Sequence, residues 1–346
     1  MNLNIYKINF KRHLCLIISA ALFLSLIGCS SLANPFRRTT DFNLSLVFFD
    51  TLIKITVYDD SKENADNLLN DCKDLCSYYE ELFSASNPNS DISKLNNSNG
   101  NAIKVSNDTV TLLEKSLYYS DLSNGYFDPT IYSITQLWDF HDINNDPPSA
   151  ELINNNLTHV DYKNIIIDNK NQTITFLDPQ TQIDVGGIAK GYIADKLCEY
   201  LQKANVSGAI LNIGGDISTL GCKPDGSPFV IGVYNPVEQS TSFGVKIAGE
   251  SIATSGTYER KIEYDGTTYH HILDPKTGYS ANTDLVSATI ITKMAIDADS
   301  LCTIAILLGS DKTLSLINSL DDTECILIKT DGTIITSDKA KYLLSS

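Results

Sequence analysis

The chain has 346 residues, of which 42% are hydrophobic and 20% are charged. This composition supports a buried core and excludes a disordered chain, and the length suits one large domain or two ordinary ones. The formal net charge of -16 at pH 7 lacks the basic surface that nucleic-acid binding requires. We therefore predict no nucleic-acid partner and interpret the charge as a source of solubility.

The N-terminus has the pattern of a bacterial secretory signal. Three basic residues lie within the first 12 positions, and residues 14–28 form an apolar run of fifteen. The run is short for a membrane span, and no charged flank follows it. It ends in Leu26-Ile27-Gly28-Cys29, which resembles a lipobox. We predict a lipoprotein signal peptide over 1–28 and lipidation of Cys29; the alternative is an ordinary signal peptide with an incidental cysteine.

Residues 29–43 are predicted to form a lipid-anchored tether. The segment contains Pro35, Arg37 and Arg38 among polar residues, a composition that is typical of a linker. A multiply acylated cysteine anchors stably to a bilayer, so we expect the protein at the extracytoplasmic face of a bacterial cell membrane. One domain over 44–340 is predicted to follow, because no repeat or convincing boundary divides the rest of the chain.

The spacing of apolar residues predicts the secondary structure of this domain. In chain order, the predicted elements are a strand over 44–58, helices over 63–83 and 110–120, a loop beginning at 138, a hairpin of 164–168 and 173–177, a strand over 182–185 followed by a helix, strands near 209–213, 229–234, 243–248, 251–255, 258–263, 267–273 and 286–292, a helix over 299–308, and a hairpin of 325–329 and 333–336. Strands outnumber helices and many connections suit hairpins. The predicted fold class is therefore α+β, with antiparallel or mixed sheets and helices packed on them.

The chain contains eight cysteines, two of which belong to the signal segment and the lipobox. The other six lack the paired spacing of a zinc site. Cys72 and Cys76 lie one helical turn apart, and Cys198 and Cys302 fall in apolar helical patterns. We interpret these residues as buried thiols that pack as small hydrophobes; the sequence leaves disulfide pairing open.

The stretch Asp184-Val185-Gly186-Gly187-Ile188-Ala189-Lys190-Gly191 is the most informative. A carboxylate ends an apolar strand, two glycines follow, and a lysine opens a helix. Because a helix N-terminus and a lysine bind phosphate, we predict that Lys190 contacts a phosphate and that Asp184 accepts a hydrogen bond from the ligand. The segment lacks the G-x-G-x-x-G spacing of a dinucleotide fingerprint, and a plain strand-to-helix turn with a solvated Lys190 is the alternative.

A second group of candidate ligands lies on the helix predicted near the C-terminus. Asp299 and Thr303 are spaced i, i+4 and therefore share one helix face. A carboxylate and a hydroxyl suit a hard divalent cation that takes oxygen ligands, although further ligands must come from elsewhere. The alternative is that an acid at Asp297 or Asp299 caps the helix N-terminus.

Two further segments carry candidate binding groups. His270 and His271 are adjacent on a predicted strand, before the turn that begins at Asp274-Pro275. Adjacent strand residues point to opposite faces, so we expect one histidine to be functional or hydrogen-bonded and the other to be exposed. The segment Gly125-Tyr126-Phe127-Asp128-Pro129-Thr130 offers an aromatic pair and an acid that suit a flat ring.

The order of these motifs resembles that of FAD:protein FMN transferases of the ApbE type, over roughly residues 44–340. The matching stretches are Phe83-Ser84 with 90–96, the segment 125–130, Asp184 to Tyr192, Asn212 to Asp216, 253–256 with Tyr258-Glu259-Arg260, His271 to Gly278, and Ala298 to Gly309. The resemblance implies a single catalytic domain that is T-fold-like. It also implies magnesium-dependent transfer of FMN from FAD to a threonine or serine of an extracytoplasmic electron-transfer or respiratory flavoprotein, with release of AMP.

The same resemblance implies roles for individual residues. The residues that would contact FAD are Phe49, Tyr126, Phe127, Asp128, Asp184, Lys190 and Ile272. The groups that would hold magnesium are the carbonyl of Gly187, the side chains of Asp299 and Thr303, and the carbonyl of Cys302. The chain departs from the family pattern at Phe49, where methionine is common, and at Ser86, where an aromatic residue is common.

The reaction also requires a base for the acceptor hydroxyl. We nominate His271, because an unperturbed imidazole titrates near neutrality; Asp274 and Asp284 are alternatives, and His271 could instead support the turn at Asp274. Two other functions use the same residues. One is magnesium-dependent FAD hydrolysis to FMN and AMP, with water as the acceptor, and the other is a lipid-anchored flavin-binding or solute-binding protein without catalysis.

Overall fold

The computed structural model describes residues 39–140, 146–338, 340 and, for the backbone alone, 343–344. The predicted signal peptide, the lipidation site Cys29 and most of the predicted tether lie outside these residues. Within the described part of the chain, none of the helices combines the length and the apolar character that a bilayer span requires.

Eight α-helices and sixteen β-strands are described. The helices are α1 (Lys62–Phe83), α2 (Asp91–Asn96), α3 (Asn107–Leu122), α4 (Tyr132–Trp138), α5 (Ala150–Leu157), α6 (Ala189–Lys203), α7 (Ala295–Leu308) and α8 (Ser310–Ser319). The strands are β1 (Thr40–Phe48), β2 (Thr51–Asp59), β3 (Ile103–Lys104), β4 (Ile165–Asp168), β5 (Thr173–Phe176), β6 (Gly208–Ile213), β7 (Asp216–Gly221), β8 (Phe229–Asn235), β9 (Ser240–Ile247), β10 (Ser251–Gly256), β11 (Lys261–Tyr264), β12 (Thr267–His270), β13 (Leu285–Thr292), β14 (Glu324–Lys329), β15 (Ile334–Thr336) and β16 (Leu343–Leu344).

An eight-stranded sheet forms the centre of the domain, in the order β1-β2-β6-β7-β10-β13-β14-β15. Every neighbouring pair in it is antiparallel. Three small sheets accompany it, made of β11-β12, β16-β9-β8 and β3-β5-β4. The predicted α+β class with antiparallel sheets and packed helices is confirmed.

The two faces of the main sheet bury different residues because side chains alternate along a strand. Ile55 pairs with Leu211, and Ala253 pairs with Ile290, on the face that packs against α1, α6 and α7. On the other face, Ile252 and Ile291 belong to a second apolar cluster that is completed by residues of β8 and β9. The helices therefore lie on one face of the sheet and a small sheet on the other.

The strand predicted over 44–58 is two strands. Phe49 and Asp50 form a tight turn with φ values of 53° and 54°, and β1 pairs with β2 in a hairpin. Left-handed turns are usually signalled by glycine or asparagine, and this turn has neither. Because β1 begins at Thr40, residues 40–43 belong to a strand and not to the predicted tether. The pairing of β16 with β9 extends the folded domain past residue 340.

The stretch predicted as a strand over 182–185 is not part of a sheet. Its backbone donors are used elsewhere: Ile183 N–H donates to the Asn96 side chain at 2.7 Å, and Asp184 N–H donates to the Pro129 carbonyl at 2.7 Å. A single bridge between Gln182 and Ile131 is the only ladder-like contact that is described there. Ile183 and Val185 are buried and Gln182 and Asp184 are half-buried, and neighbouring loops hold the segment.

Helix α7 begins at Ala295, four residues before the predicted start. Its first backbone N–H groups lack partners within the helix, as at any helix N-terminus. The Asp195 carboxylate of α6 accepts from Ala295 N–H at 2.7 Å and from Ile296 N–H at 3.0 Å. The alternative in which Asp297 or Asp299 caps this helix is therefore wrong, and Asp299 lies in its second turn.

The six cysteines in the described part of the chain are free thiols. Four of them, Cys72, Cys76, Cys302 and Cys325, are buried, and Cys198 and Cys222 are half-buried. Burial raises the pKa of the Cys72 and Cys76 thiols to about 12. These thiols are protonated at neutral pH and behave as packing groups, as the sequence predicts.

The crossing of α6 and α7 requires glycine at position 191. A Cβ atom there would lie 2.4 Å from the Ala295 carbonyl oxygen and 2.6 Å from the Ile296 Cα. Both are backbone atoms, which cannot rotate away, so Gly191→Ala must push the helices apart. We predict a loss of about 1–3 kcal/mol in the free energy of unfolding, measured by urea denaturation.

The control for this substitution is Gln202→Ala, on an exposed position of the same helix. It should change the free energy of unfolding by less than about 0.5 kcal/mol. Equal stabilities for Gly191→Ala and Gln202→Ala would show that the helix crossing does not depend on the glycine.

Candidate active site

An ion-pair network lies at the centre of the candidate site. The Lys190 ammonium is 2.5 Å from Asp299 Oδ1 and 2.8 Å from Asp216 Oδ2. The second oxygen of Asp299 accepts from Gly191 N–H at 2.9 Å. Lys190 is near the start of α6, Asp299 lies on α7 and Asp216 begins β7, so three separate segments meet at one cation.

The glycine turn before α6 reaches the same place. A Cβ atom on Gly187 would lie 3.8 Å from Thr303 Oγ1 and 3.2 Å from the Phe127 ring. The Thr303 hydroxyl is also 3.3 Å from Ser255 Oγ at the end of β10. The structure thus brings together Gly187, Lys190, Asp299 and Thr303, which the sequence places in two distant segments.

The network holds more negative than positive charge. Burial opposes the charge on Lys190, but Asp216 and Asp299 outweigh that effect and raise the pKa of the ammonium. Burial and the neighbouring Asp299 raise the pKa of Asp216 to about 6, although Lys190 opposes the shift. Burial also raises the pKa of Asp184, against a 2.7 Å hydrogen bond from Gly186 N–H. Such shifts are typical of carboxylates without enough cationic partners.

Asp216 and Ser255 have no role predicted from the sequence, although both lie in stretches that match the family motifs. Asp216 follows Gly214 and Gly215, whose φ values of 64° and 100° require glycine. A glycine pair that turns the chain directly into an acidic residue was the available signal. The order is the reverse of that at Asp184, where the acid precedes the glycine pair.

The side chain of Cys302 is buried. The residue is 1% exposed, and its thiol donates to the Asp299 carbonyl and lies near Ser255 Oγ, both at 3.1 Å. Burial raises the pKa of this thiol. Only the backbone carbonyl of Cys302 is therefore suited to the ligand role that the family resemblance implies.

The two adjacent histidines have different surroundings. His270 is 7% exposed, its Nε2 lies 3.0 Å from the Ala281 carbonyl, and its Nδ1 accepts from Ile272 N–H at 3.3 Å. His271 is half-buried, and its Nδ1 has no hydrogen-bond partner among the described residues. His270 is the hydrogen-bonded histidine, but the expectation that the other is exposed is wrong, because His271 is half-buried.

The unpartnered nitrogen of His271 is held neutral by its surroundings. Burial lowers the pKa of this imidazole to about 4, with further lowering from the charges of Arg260 and His270. The charge of Lys190 adds to the shift. His271 therefore lies within electrostatic reach of the ion-pair network and carries a free acceptor at neutral pH.

Asp128, the acid of the segment 125–130, stabilises a loop through hydrogen bonds. Asp128 Oδ1 accepts from the Thr130 backbone at 2.8 Å and from its hydroxyl at 2.6 Å, and Oδ2 accepts from Tyr162 N–H at 3.0 Å. Burial raises the pKa of Asp128 to about 6 even though these hydrogen bonds oppose the shift. The predicted contact of this carboxylate with a ligand stays a prediction.

The aromatic residues of the same segment differ in exposure. Phe127 is 7% exposed and packs edge-on against Tyr119, with ring centroids 6.4 Å apart. The Tyr126 ring is half-buried and has the Lys276 ammonium 3.5 Å from its centroid. Phe127 therefore packs against the Gly187 turn, whereas the Tyr126 ring stays partly exposed to solvent.

The remaining predicted contacts are hydrophobic. Ile272 is 6% exposed and belongs to the main core. Phe49 is half-buried in the β1–β2 turn, where its N–H donates to the Glu80 side chain at 2.9 Å. Thr51, two residues later, lies against Gly214, since a Cβ atom there would be 2.6 Å from Thr51 Oγ1. The hairpin thus adjoins the turn that presents Asp216.

Among the described residues, no three His, Cys, Asp or Glu side chains cluster as a metal site does. A cation in this site would therefore depend on hydroxyl and backbone oxygens as well as carboxylates. Hard divalent cations accept such mixed oxygen sets.

The chain is similar to known proteins of one family. The family model described as "ApbE family" matches residues 49–327. An FAD:protein FMN transferase of Klebsiella pneumoniae is 30% identical over 77% of this chain and 84% of its own length, and one of Treponema pallidum is 28% identical over 87% and 88%.

Solved structures give the same result. The ApbE protein of Thermotoga maritima superposes with a TM-score of 0.79 at 30% identity, covering 86% of this chain and 97% of its own. The flavin transferase ApbE of Vibrio cholerae superposes with a TM-score of 0.78 at 25% identity, covering 89% and 100%. The chain belongs to the ApbE family.

Proposed function

We propose that the protein transfers FMN from FAD to a threonine or serine of an acceptor protein, with magnesium as cofactor and AMP as the leaving group. Membership of the ApbE family supports flavin transfer. The observation that carries the proposal is the convergence of Lys190, Asp299, Thr303 and Gly187 from distant segments. In the reaction the bond between the two phosphates breaks and an ester bond forms between the FMN phosphorus and the acceptor hydroxyl.

The donor set fits magnesium. Asp216 and Asp299 bring two carboxylates to one ammonium, and the pKa of Asp216 is raised. The residues that would hold the ion are Asp299 and Thr303, through their side chains, and Gly187 and Cys302, through their carbonyls. When bound, magnesium would neutralise the diphosphate and polarise the phosphorus that is attacked.

The protein's own groups would share the remaining work. Lys190 and the N-terminus of α6 supply positive potential for the diphosphate and the departing phosphate. Tyr126, with its partly open ring, would contact the flavin nucleotide, and Asp184 would accept a hydrogen bond from it. The predicted contacts of Phe49, Phe127, Asp128 and Ile272 complete the proposed binding surface, with Phe127 and Asp128 acting through the loop that they hold.

His271 would take the proton of the acceptor hydroxyl. Its Nδ1 is unpartnered, and a neutral imidazole accepts a proton without a prior ionisation. His270 is excluded from this role because both of its ring nitrogens have backbone partners. The carboxylate of Asp284, one of the two alternative bases, is held by Ser310 and Lys329.

We also propose that the protein works on the extracytoplasmic face of the cell membrane, anchored through a lipid on Cys29. The apolar run and the lipobox-like sequence before Cys29 support this proposal. The acceptor would be a flavoprotein with electron-transfer or respiratory function on the same side of the membrane.

Transfer should depend on Asp299. We predict that Asp299→Asn lowers the rate at least about 100-fold, because the substitution removes a charged ligand and the partner of Lys190. The measurement is the intact mass of an acceptor protein after incubation with FAD, magnesium and each variant. A mass gain equal to FMN reports transfer, and free FMN without that gain reports hydrolysis.

The matched control is Asp297→Asn on the same helix. Asp297 accepts from Tyr119 and pairs with Lys115 at 3.4 Å, so this variant loses a carboxylate of α7 without touching the network. Its transfer rate should stay within about threefold of the wild type. Full activity of Asp299→Asn, or equal losses in both variants, would contradict the proposed role.

The pH dependence should identify the base. Because the folded-state pKa of His271 is lowered to about 4, the imidazole is a proton acceptor above that pH and is protonated below it. We predict that the transfer rate is level between about pH 7 and 8 and falls in two steps at lower pH, one near 6 where Asp216 titrates and one near 4 where His271 is protonated. Only the step near 4 belongs to the base.

His271→Ala should lose transfer and keep FAD binding, which fluorescence titration measures. The matched control is His159→Ala, since His159 pairs with Asp178 outside the site. Normal turnover of His271→Ala would remove this histidine from the mechanism.

A further inference from the structure

Lys190 has two carboxylate partners, although one would neutralise it. Its Nζ is 2.5 Å from Asp299 Oδ1 and 2.8 Å from Asp216 Oδ2. The side chains of Lys190, Asp216 and Asp299 are 27%, 12% and 2% exposed. The ammonium thus bridges two largely buried acids that belong to different secondary-structure elements.

Each acid is anchored by its other oxygen, independently of Lys190. Asp216 Oδ1 accepts from Thr254 N–H at 3.2 Å, and Asp299 Oδ2 accepts from Gly191 N–H at 2.9 Å. The Gly214–Gly215 turn further fixes the start of β7. Neither acid needs Lys190 to hold its place, whereas the flexible lysine side chain depends on the acids.

We propose that Asp216 is a positioning residue that retains Lys190 at the site while Lys190 gives up Asp299 to a divalent cation. The Lys190 ammonium then has one carboxylate partner, Asp216, in place of two, and it stays at the site. The inference rests on the proposed function in one respect, namely that Asp299 is a ligand of the cation.

The physical reason is the cost of an unpaired buried charge. An ammonium that lost its sole carboxylate in this setting would be left without compensation, which is strongly unfavourable. With Asp216 present, Lys190 stays paired after Asp299 is taken. Lys190 therefore competes with the cation for Asp299, and Asp216 makes that competition weaker. Removing Lys190 and removing the charge of Asp216 should shift cation affinity in opposite directions.

The test is a titration of the nucleotide-free protein with Mn²⁺ alone, in which electron paramagnetic resonance measures free Mn²⁺. Lys190→Met should bind Mn²⁺ at least about tenfold more tightly than the wild type, and Asp216→Asn at least about fivefold more weakly. Lys115→Met is the matched control, because Lys115 pairs with Asp297 of the same helix at 3.4 Å. Its affinity should change less than about twofold.

Several outcomes would overturn the proposal. These are a Lys190→Met variant that binds Mn²⁺ no more tightly than Lys115→Met, an absence of binding in every variant, and an unchanged affinity in Asp216→Asn. Circular dichroism checks that each variant is folded. Should Lys190→Met fail to fold, a wild-type crystal structure with Mn²⁺ decides: Lys190 Nζ must remain within 3.5 Å of Asp216, a hydrogen-bond distance, and must have left Asp299.

The outcome of this titration is distinguishable from the outcome of the transfer assay. A wild-type protein that adds FMN to an acceptor, but shows no affinity shift in these variants, would keep its proposed activity and lose only the exchange of Lys190. A protein that shows the opposed shifts without any transfer would keep the exchange and lose the activity.

Discussion

In the cation-free protein, the buried ion pair between Lys190 and Asp299 is the interaction around which the site is arranged. It joins the first turn of α6 to the second turn of α7, beside the glycine that allows the two backbones to touch. A paired charge is tolerated in such a place, and an unpaired one is not. The pair therefore aligns two helices and, at the same time, concentrates charge where they meet.

Helix α7 can serve the site because it is buried on nearly every side. It packs against α6, β10 and β13, and Asp195 of α6 holds its first N–H groups. These contacts fix where Asp299 and Thr303 lie, so the two polar groups are presented by a rigid element. Rigid support of this kind lowers the cost of ordering a binding site at the moment of binding.

Local patterns predicted much of the fold and half of the site. Apolar periodicity gave the four longest helices, two hairpins and the α+β class, and the residue types at Lys190, Asp299 and Thr303 indicated the chemistry. The hairpin turn at Phe49 was missed because it lacks the glycine or asparagine that usually marks a left-handed turn, and the cap from Asp195 because it comes from 100 residues away. Asp216 was missed although the glycine pair before it marks a turn, because its pairing with Lys190 comes from packing.

The central claim is that Asp299 holds a divalent cation next to the diphosphate of FAD. The most direct measurement is the ³¹P relaxation of bound FAD on addition of Mn²⁺, compared between the wild type and Asp299→Asn. The account predicts strong broadening of both phosphate resonances in the wild type and little in the variant under equal conditions. Equal broadening in the two proteins, or none in either, would contradict it.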